Sequence, residues 1–83
     1  MDIIIAPEAL KKLKRVTVGD RKKIEQKIKI LQSDPFAGKL LLGEWSGNRS
    51  IKAWPLRIIY SIDTESQIIY IRHIDYRGSV YKN

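Results

Sequence analysis

The stretch Arg-Ser-Ile-Lys-Ala-Trp-Pro-Leu-Arg-Ile-Ile-Tyr-Ser-Ile, residues 49–62, carries the clearest structural signal in the chain. Within residues 49–54, basic or polar side chains alternate with apolar ones, and residues 56–62 form a longer run rich in isoleucine. Both patterns are typical of β-strands, and Pro55 between them indicates a tight turn. The stretch therefore predicts a β-hairpin in the second half of the chain.

The segments beside this hairpin predict further strands. Residues 63–66 read Asp-Thr-Glu-Ser and form a polar loop, after which residues 67–74 predict a third strand. Upstream, residues 36–47 are rich in glycine and predict a loop or a short extended piece. Near the start, residues 3–6 form a β-branched run that a proline ends, which predicts a short buried strand.

Two amphipathic helices are predicted between the opening strand and the glycine-rich segment. The first begins at Pro7, because proline suits the first helical position. Gly19-Asp20 supplies a break and a candidate N-cap for the second helix, which ends at Asp34-Pro35. Apolar residues recur at helical spacing in both: Leu10, Leu13 and Val16 in the first, Ile24, Ile28 and Leu31 in the second.

The element order β-α-α-β-β-β indicates an α+β fold. Since the links are short, we expect the helix hairpin to pack on one face of a mostly antiparallel, twisted sheet and to leave the other face open. A chain of 83 residues has enough interior for one core, so residues 1–83 are expected to form a single domain.

Charge and composition restrict the kind of partner and chemistry. Sixteen lysines and arginines against nine acidic residues give a net charge of +7, which favours an anionic partner: nucleic acid, an acidic protein or an anionic membrane. The absence of cysteine excludes disulfides and thiolate zinc sites, and a single histidine excludes a multi-histidine metal site. We therefore expect no metal or other cofactor, no membrane segment, and a reducing, cytoplasmic location.

Lys52 and Arg57 are the first candidates for a functional site. Because side chains alternate along a strand, Ser50, Lys52 and Trp54 share one face, while Arg49 lies on the other with Ile51 and Ala53. The short turn brings Lys52 and Arg57 close together across the hairpin. Two neighbouring cations repel, so the pair either holds a polyanion or belongs to an ordinary solvated sheet face.

The C-terminal stretch, residues 72–81, is a second concentration of polar and aromatic groups. Arg77 followed by Tyr81 suits RNA, through phosphate contacts and base stacking. Tyr76 is interpreted as covering the core.

His73 alternates with Ile69 and Ile71, which predicts a packed residue on an apolar strand face. Catalysis by His73 or Glu44 is the weaker alternative.

Three segments in order resemble the RelE/ParE superfamily of toxins from type II toxin–antitoxin systems. They are residues 34–40 (Asp-Pro-Phe-Ala-Gly-Lys-Leu), residues 56–60 (Leu-Arg-Ile-Ile-Tyr) and residues 77–81 (Arg-Gly-Ser-Val-Tyr). The resemblance covers nearly the whole chain and implies the RelE-like fold.

The RelE-like branch of this superfamily implies a ribosome-dependent mRNA interferase. Such enzymes cleave mRNA without a metal, by attack of the RNA 2′-hydroxyl on the adjacent phosphate, and so inhibit translation. Lys52 matches the lysine or arginine proposed as base or phosphate clamp, and Arg57 matches the arginine that stabilises the developing charge. Arg77 matches the residue that assists the leaving oxygen, and Tyr81 matches the tyrosine that stacks on or orients the nucleotide. Lys39, Arg49 and Arg72 are further candidates for RNA contacts.

The partners that the resemblance implies are a cognate acidic antitoxin, the ribosome and mRNA. The sequence departs from active relatives at Ser50, Leu56, Asp75, Tyr76 and Gly78. Two other functions therefore stay open. One is inhibition of DNA gyrase, as in ParE-like members, and the other is a toxin homologue that binds its antitoxin or RNA without cleavage.

Overall fold

The computed structural model describes residues 1–76, which form a mixed sheet covered on one face by two helices. The elements in chain order are β1 (Asp2–Ile5), α1 (Pro7–Arg15), α2 (Val18–Ser33), β2 (Lys39–Leu40), the 3₁₀ helix η1 (Gly43–Trp45), β3 (Arg49–Ala53), β4 (Leu56–Asp63) and β5 (Ile68–Tyr76). The strand order is β1-β5-β4-β3-β2. Only β1 and β5 pair in parallel within the described chain, which confirms the predicted α+β fold with a mostly antiparallel sheet.

The helix hairpin differs from the prediction at its turn. Helix α2 begins at Val18, and its N-cap is Thr17, whose side-chain oxygen accepts a hydrogen bond of 3.2 Å from the Asp20 backbone N–H. The break predicted at Gly19-Asp20 is therefore wrong. Because the Thr17 hydroxyl satisfies one of the N–H groups that every helix start leaves unpaired, the helix begins before the glycine.

The core lies between the helices and one face of the sheet. Its largest fully buried side chains come from α2, β4 and β5: Ile24, Leu31, Leu56, Ile58, Tyr60, Ile69 and Ile71. Ala9 of α1 is also buried there. The apolar stripe predicted for the second helix packs on the sheet, where removal of apolar surface from water stabilises the fold. In the first helical stripe Leu13 and Val16 also pack against the core, but Leu10 is exposed, so its predicted place in the stripe is wrong.

A β-bulge between β4 and β5 changes which side chains face the core. Ile59 pairs with His73, whereas the next residue, Tyr60, pairs with Ile71, so that Arg72 is an extra residue between them. A bulge of this kind reverses the alternation of the strand beyond it. His73 therefore lies on the face opposite Ile71, and its predicted place on the apolar face with Ile69 and Ile71 is wrong.

The face opposite the helices is open only in part. Helix η1 brings Trp45 over His73, with ring centroids 5.2 Å apart and an interplanar angle of 86°. Gly43 and Gly47 flank this turn with φ of 69° and 89°, values that favour glycine. The neighbouring Ile59 is fully buried on this side. We call the remaining surface, which carries Lys52 and Arg57, the open face.

Candidate functional site

Three charged residues lie side by side across the open face. Lys52 of β3 pairs with Arg57 of β4, and Arg57 pairs with Asp75 of β5. Directly opposite residues in an antiparallel sheet have Cβ atoms about 5 Å apart. We call these three residues the charged row. The predicted proximity of Lys52 and Arg57 across the Trp54-Pro55 turn is confirmed.

The charged row has a net positive charge, and Lys12 adds a further positive charge beside it. Lys12 of α1 places its Nζ atom 3.2 Å from Oδ1 of Asp75 and lies 5.2 Å from the centre of the Tyr76 ring. Lys12 and Arg57 thus both neighbour the Asp75 carboxylate, and Lys52 lies on the far side of Arg57. Like charges directly opposite each other destabilise a sheet, so an anionic ligand would relieve the repulsion between Lys52 and Arg57.

Two of the residues suggested for RNA contacts also lie on the open face. Lys39 of β2 is exposed and pairs with Ser50, which shares the face of Lys52. Arg72, at the bulge, is exposed and donates from Nε to Oγ of Ser61 at 2.9 Å. Its guanidinium lies 5.5 Å from the ring centre of Tyr70, the partner of Ser61 across the strands. Lys39 and Arg72 therefore extend the basic surface beyond the charged row.

Arg49 is not brought to this surface. It lies on the helix-covered face, where it pairs with Tyr60, and its Nη1 atom donates to the Gly38 carbonyl at 2.9 Å. Its guanidinium also lies 4.9 Å from the ring centre of Phe36. The structure thus places Arg49 in contact with the loop before β2 rather than beside Lys52.

Tyr60 holds the same loop, and sequence reasoning assigned it no role. Its hydroxyl donates to the Pro35 carbonyl at 2.8 Å and accepts a hydrogen bond from the Gly38 N–H at 2.9 Å. Burial raises the pKa of the Tyr60 phenol above its usual value. We call Tyr60, Pro35, Gly38 and Arg49 the loop anchor. A buried tyrosine hydroxyl needs hydrogen-bond partners. A tyrosine within the isoleucine-rich run of residues 56–62 was therefore the sequence signal for a polar contact at this point.

The structure brings some of the remaining candidates together and leaves others undescribed. His73 lies beside the charged row, where it packs edge-on against Trp45, and Glu44 is exposed on η1. Arg77 and Tyr81 lie outside the described residues. Within residues 1–76, no group of three or more His, Asp or Glu side chains could hold a metal ion, and no helix is long and apolar enough to cross a membrane.

Comparisons with known proteins agree with this architecture. The family model described as the ParE toxin of type II toxin–antitoxin systems, parDE, matches residues 3–81. No curated protein sequence is significantly similar to the chain.

Solved structures of toxin–antitoxin proteins share the fold. The RelBE2 toxin–antitoxin complex of Mycobacterium tuberculosis matches with a TM-score of 0.83 and 23% identity, over 92% of this chain and 96% of that one. The archaeal RelE–RelB complex of Pyrococcus horikoshii OT3 matches with a TM-score of 0.80 and 20% identity, over 95% and 97% of the two chains. The YoeB/ParE toxin of Agrobacterium tumefaciens matches with a TM-score of 0.82 and 19% identity, over 93% and 99%.

Proposed function

The chain belongs to the ParE toxin family of type II toxin–antitoxin systems, and on that premise we propose that it is an endoribonuclease that cleaves mRNA on the ribosome. The observation that carries this proposal is the pairing of Lys52 with Arg57 on the open face. Two neighbouring cations attract the single negative charge of a phosphodiester and the further negative charge that develops in the transition state. Cleavage of mRNA in the cytoplasm would inhibit translation and so account for toxicity.

The chemistry that this pair supports is transfer within the RNA backbone. The 2′-oxygen forms a bond to the adjacent phosphorus as the bond from phosphorus to the 5′-oxygen breaks, which leaves a 2′,3′-cyclic phosphate and a 5′-hydroxyl. The proton lost by the 2′-hydroxyl is balanced by the proton that the 5′-oxygen gains. The transition state carries more negative charge than the diester, so fixed cations lower the barrier.

Each cation has a distinct part in the proposal. The planar guanidinium of Arg57 binds two phosphate oxygens at once and stabilises the developing charge. Lys52 serves as the base or as a second clamp on the phosphate. Arg77 assists the leaving oxygen and Tyr81 stacks on the nucleotide, as the resemblance to the RelE-like branch implies.

A cognate acidic antitoxin is the proposed inhibitor. The solved structures with this fold include toxin–antitoxin complexes, which supports a protein partner of this class. Since the open face is basic, an acidic segment would bind there by charge complementarity and cover the charged row, or would displace the C-terminal segment.

The proposal is tested by expression of the chain with a reporter mRNA, with cleavage sites mapped by primer extension. We expect cleavage by the wild type and a loss of about 100-fold in the rate for Arg57→Ala, the usual scale for removal of one charge-stabilising group. Lys23→Ala removes one exposed cation from α2 and serves as the matched control. Toxicity that survives both Arg57→Ala and Arg77→Ala would show that the catalytic assignment is wrong.

The family match also supports inhibition of DNA gyrase as a second candidate, because ParE-like toxins carry the same fold. Growth arrest with intact reporter mRNA and altered plasmid supercoiling would favour that function. RNA binding without cleavage or growth arrest would instead favour a toxin homologue that has lost its activity.

A further inference from the structure

Asp75 is the acidic member of the charged row, and two cations neighbour it. Arg57 lies directly opposite on β4, while Lys12 approaches from α1 to 3.2 Å from Oδ1. The same oxygen accepts a hydrogen bond of 2.8 Å from the Tyr76 backbone N–H. Two contacts therefore hold Oδ1 of Asp75.

The position of Lys12 is itself fixed from two sides. Besides its ion pair with Asp75, its ammonium lies 5.2 Å from the centre of the Tyr76 ring, a distance at which a cation is attracted to the ring face. Lys12 and Asp75 also line the same groove between α1 and β5. The ion pair thus joins α1 to the end of β5 that carries the charged row.

A carboxylate beside Arg57 has a direct consequence for phosphate binding. Carboxylates and phosphates present similar pairs of oxygens to a guanidinium, so Asp75 is able to compete with a substrate phosphate for Arg57. Any contact that draws the carboxylate elsewhere, or offsets its charge, strengthens the attraction of the row for an anion.

We propose that Lys12 is a positioning residue for the charged row: by binding Asp75 it prevents that carboxylate from competing with the RNA phosphate for Arg57. The inference rests on the proposed endoribonuclease function and extends it to a residue of α1. The side chains of Lys12 and Asp75 are 34% and 39% exposed, so solvent weakens the effect. We expect changes of about three- to tenfold in rate rather than complete loss of activity.

The test measures single-turnover cleavage of mRNA on purified, programmed ribosomes by four variants: Lys12→Met, Asp75→Asn, the double variant and Lys12→Arg. Lys14→Met is the control for loss of a lysine from the same helix, and Glu65→Gln is the control for loss of an exposed acid. Both control residues are exposed and neither lines the groove beside Asp75. Thermal unfolding of each variant checks that the fold is retained.

The expected pattern has three parts. Lys12→Met slows cleavage more than Lys14→Met does, and Asp75→Asn accelerates it more than Glu65→Gln does. In the Asp75→Asn background, Lys12→Met has no larger effect than Lys14→Met, because the competing carboxylate is gone. Lys12→Arg restores the rate, since arginine also pairs with a carboxylate.

Other results overturn the inference. Equal effects of Lys12→Met and Lys14→Met, or an unchanged effect of Lys12→Met in the Asp75→Asn background, would show that Lys12 does not act through Asp75. Those results still require a wild type that cleaves. A wild type that leaves the ribosome-bound mRNA intact contradicts the proposed function itself, so the two failures are distinguishable.

Discussion

The loop anchor and the charged row both include residues of β3 and β4, and they differ in how their polar groups are paired. In the loop anchor, the Tyr60 hydroxyl both donates and accepts, and Arg49 donates to the Gly38 carbonyl. In the charged row, Lys52 lies directly opposite Arg57, which has the same charge. Polar groups that satisfy one another stabilise the fold, whereas paired like charges cost stability and suit an external ligand. We therefore expect changes in the anchor to alter stability and changes in the row to alter activity.

The largest expected effect on stability is that of Gly38→Ala. A Cβ atom on Gly38 would lie 2.5 Å from the Tyr60 hydroxyl and 2.8 Å from the Ser50 carbonyl oxygen, so the loop must move away from its anchor. We expect a loss of about 2–3 kcal/mol in the free energy of unfolding, measured by chemical denaturation.

Gly19→Ala is the matched control for this substitution. Nothing lies within 4 Å of a Cβ built on Gly19, which is in the first turn of α2, and alanine favours the helix by about 0.5–1 kcal/mol. If Gly38→Ala is as stable as the wild type, the loop anchor is looser than the structure indicates.

Tyr60→Phe is expected to have the next largest effect. It removes one hydroxyl and leaves the Gly38 N–H and the Pro35 carbonyl without that partner. We expect a loss of about 1–2 kcal/mol in the free energy of unfolding. Tyr70→Phe, which changes a half-buried tyrosine of the open face, is the control and should cost less. Equal losses in the two variants would show that the anchor's hydrogen bonds contribute nothing specific.

The same hydroxyl predicts a dependence of stability on alkaline pH. Burial raises the pKa of Tyr60, so the fold favours the neutral phenol. This contribution is fully present below the ordinary tyrosine pKa of about 10 and is lost as the pH rises through the higher value of the folded state. The stability difference between wild type and Tyr60→Phe should therefore narrow above about pH 10. A difference that stays constant in denaturation curves up to about pH 11 would contradict the assigned burial effect.

The two regions also differ in how far the sequence predicts them. The proximity of Lys52 and Arg57 follows from the alternation of side chains along a strand and from the short turn between the strands, and both are local properties of the sequence. In the loop anchor, Tyr60 contacts Gly38 and Pro35, which lie 22 and 25 positions earlier in the sequence. The face on which His73 lies depends on a bulge in the pairing of β4 with β5. The Thr17 cap was missed because Gly19-Asp20 carries an equally plausible signal. Local sequence patterns predict hairpins, whereas contacts between segments far apart in the sequence are identified only from the three-dimensional structure.

The smallest expected effect on stability gives the sharpest test of the comparison. Lys52→Met and Arg49→Met each remove one cation from β3, but on opposite faces of the sheet. Arg49→Met loses the hydrogen bond to Gly38 and the contact with the Phe36 ring, so we expect it to cost about 1 kcal/mol. Lys52→Met removes a like charge opposite Arg57 and is expected to change stability by no more than about 0.5 kcal/mol, toward greater stability.

Chemical denaturation measures both values, and the cleavage assay should show the reverse order, with the larger loss for Lys52→Met. If Lys52→Met is instead the more destabilising of the two, the charged row belongs to the architecture of the sheet and not to a site for RNA.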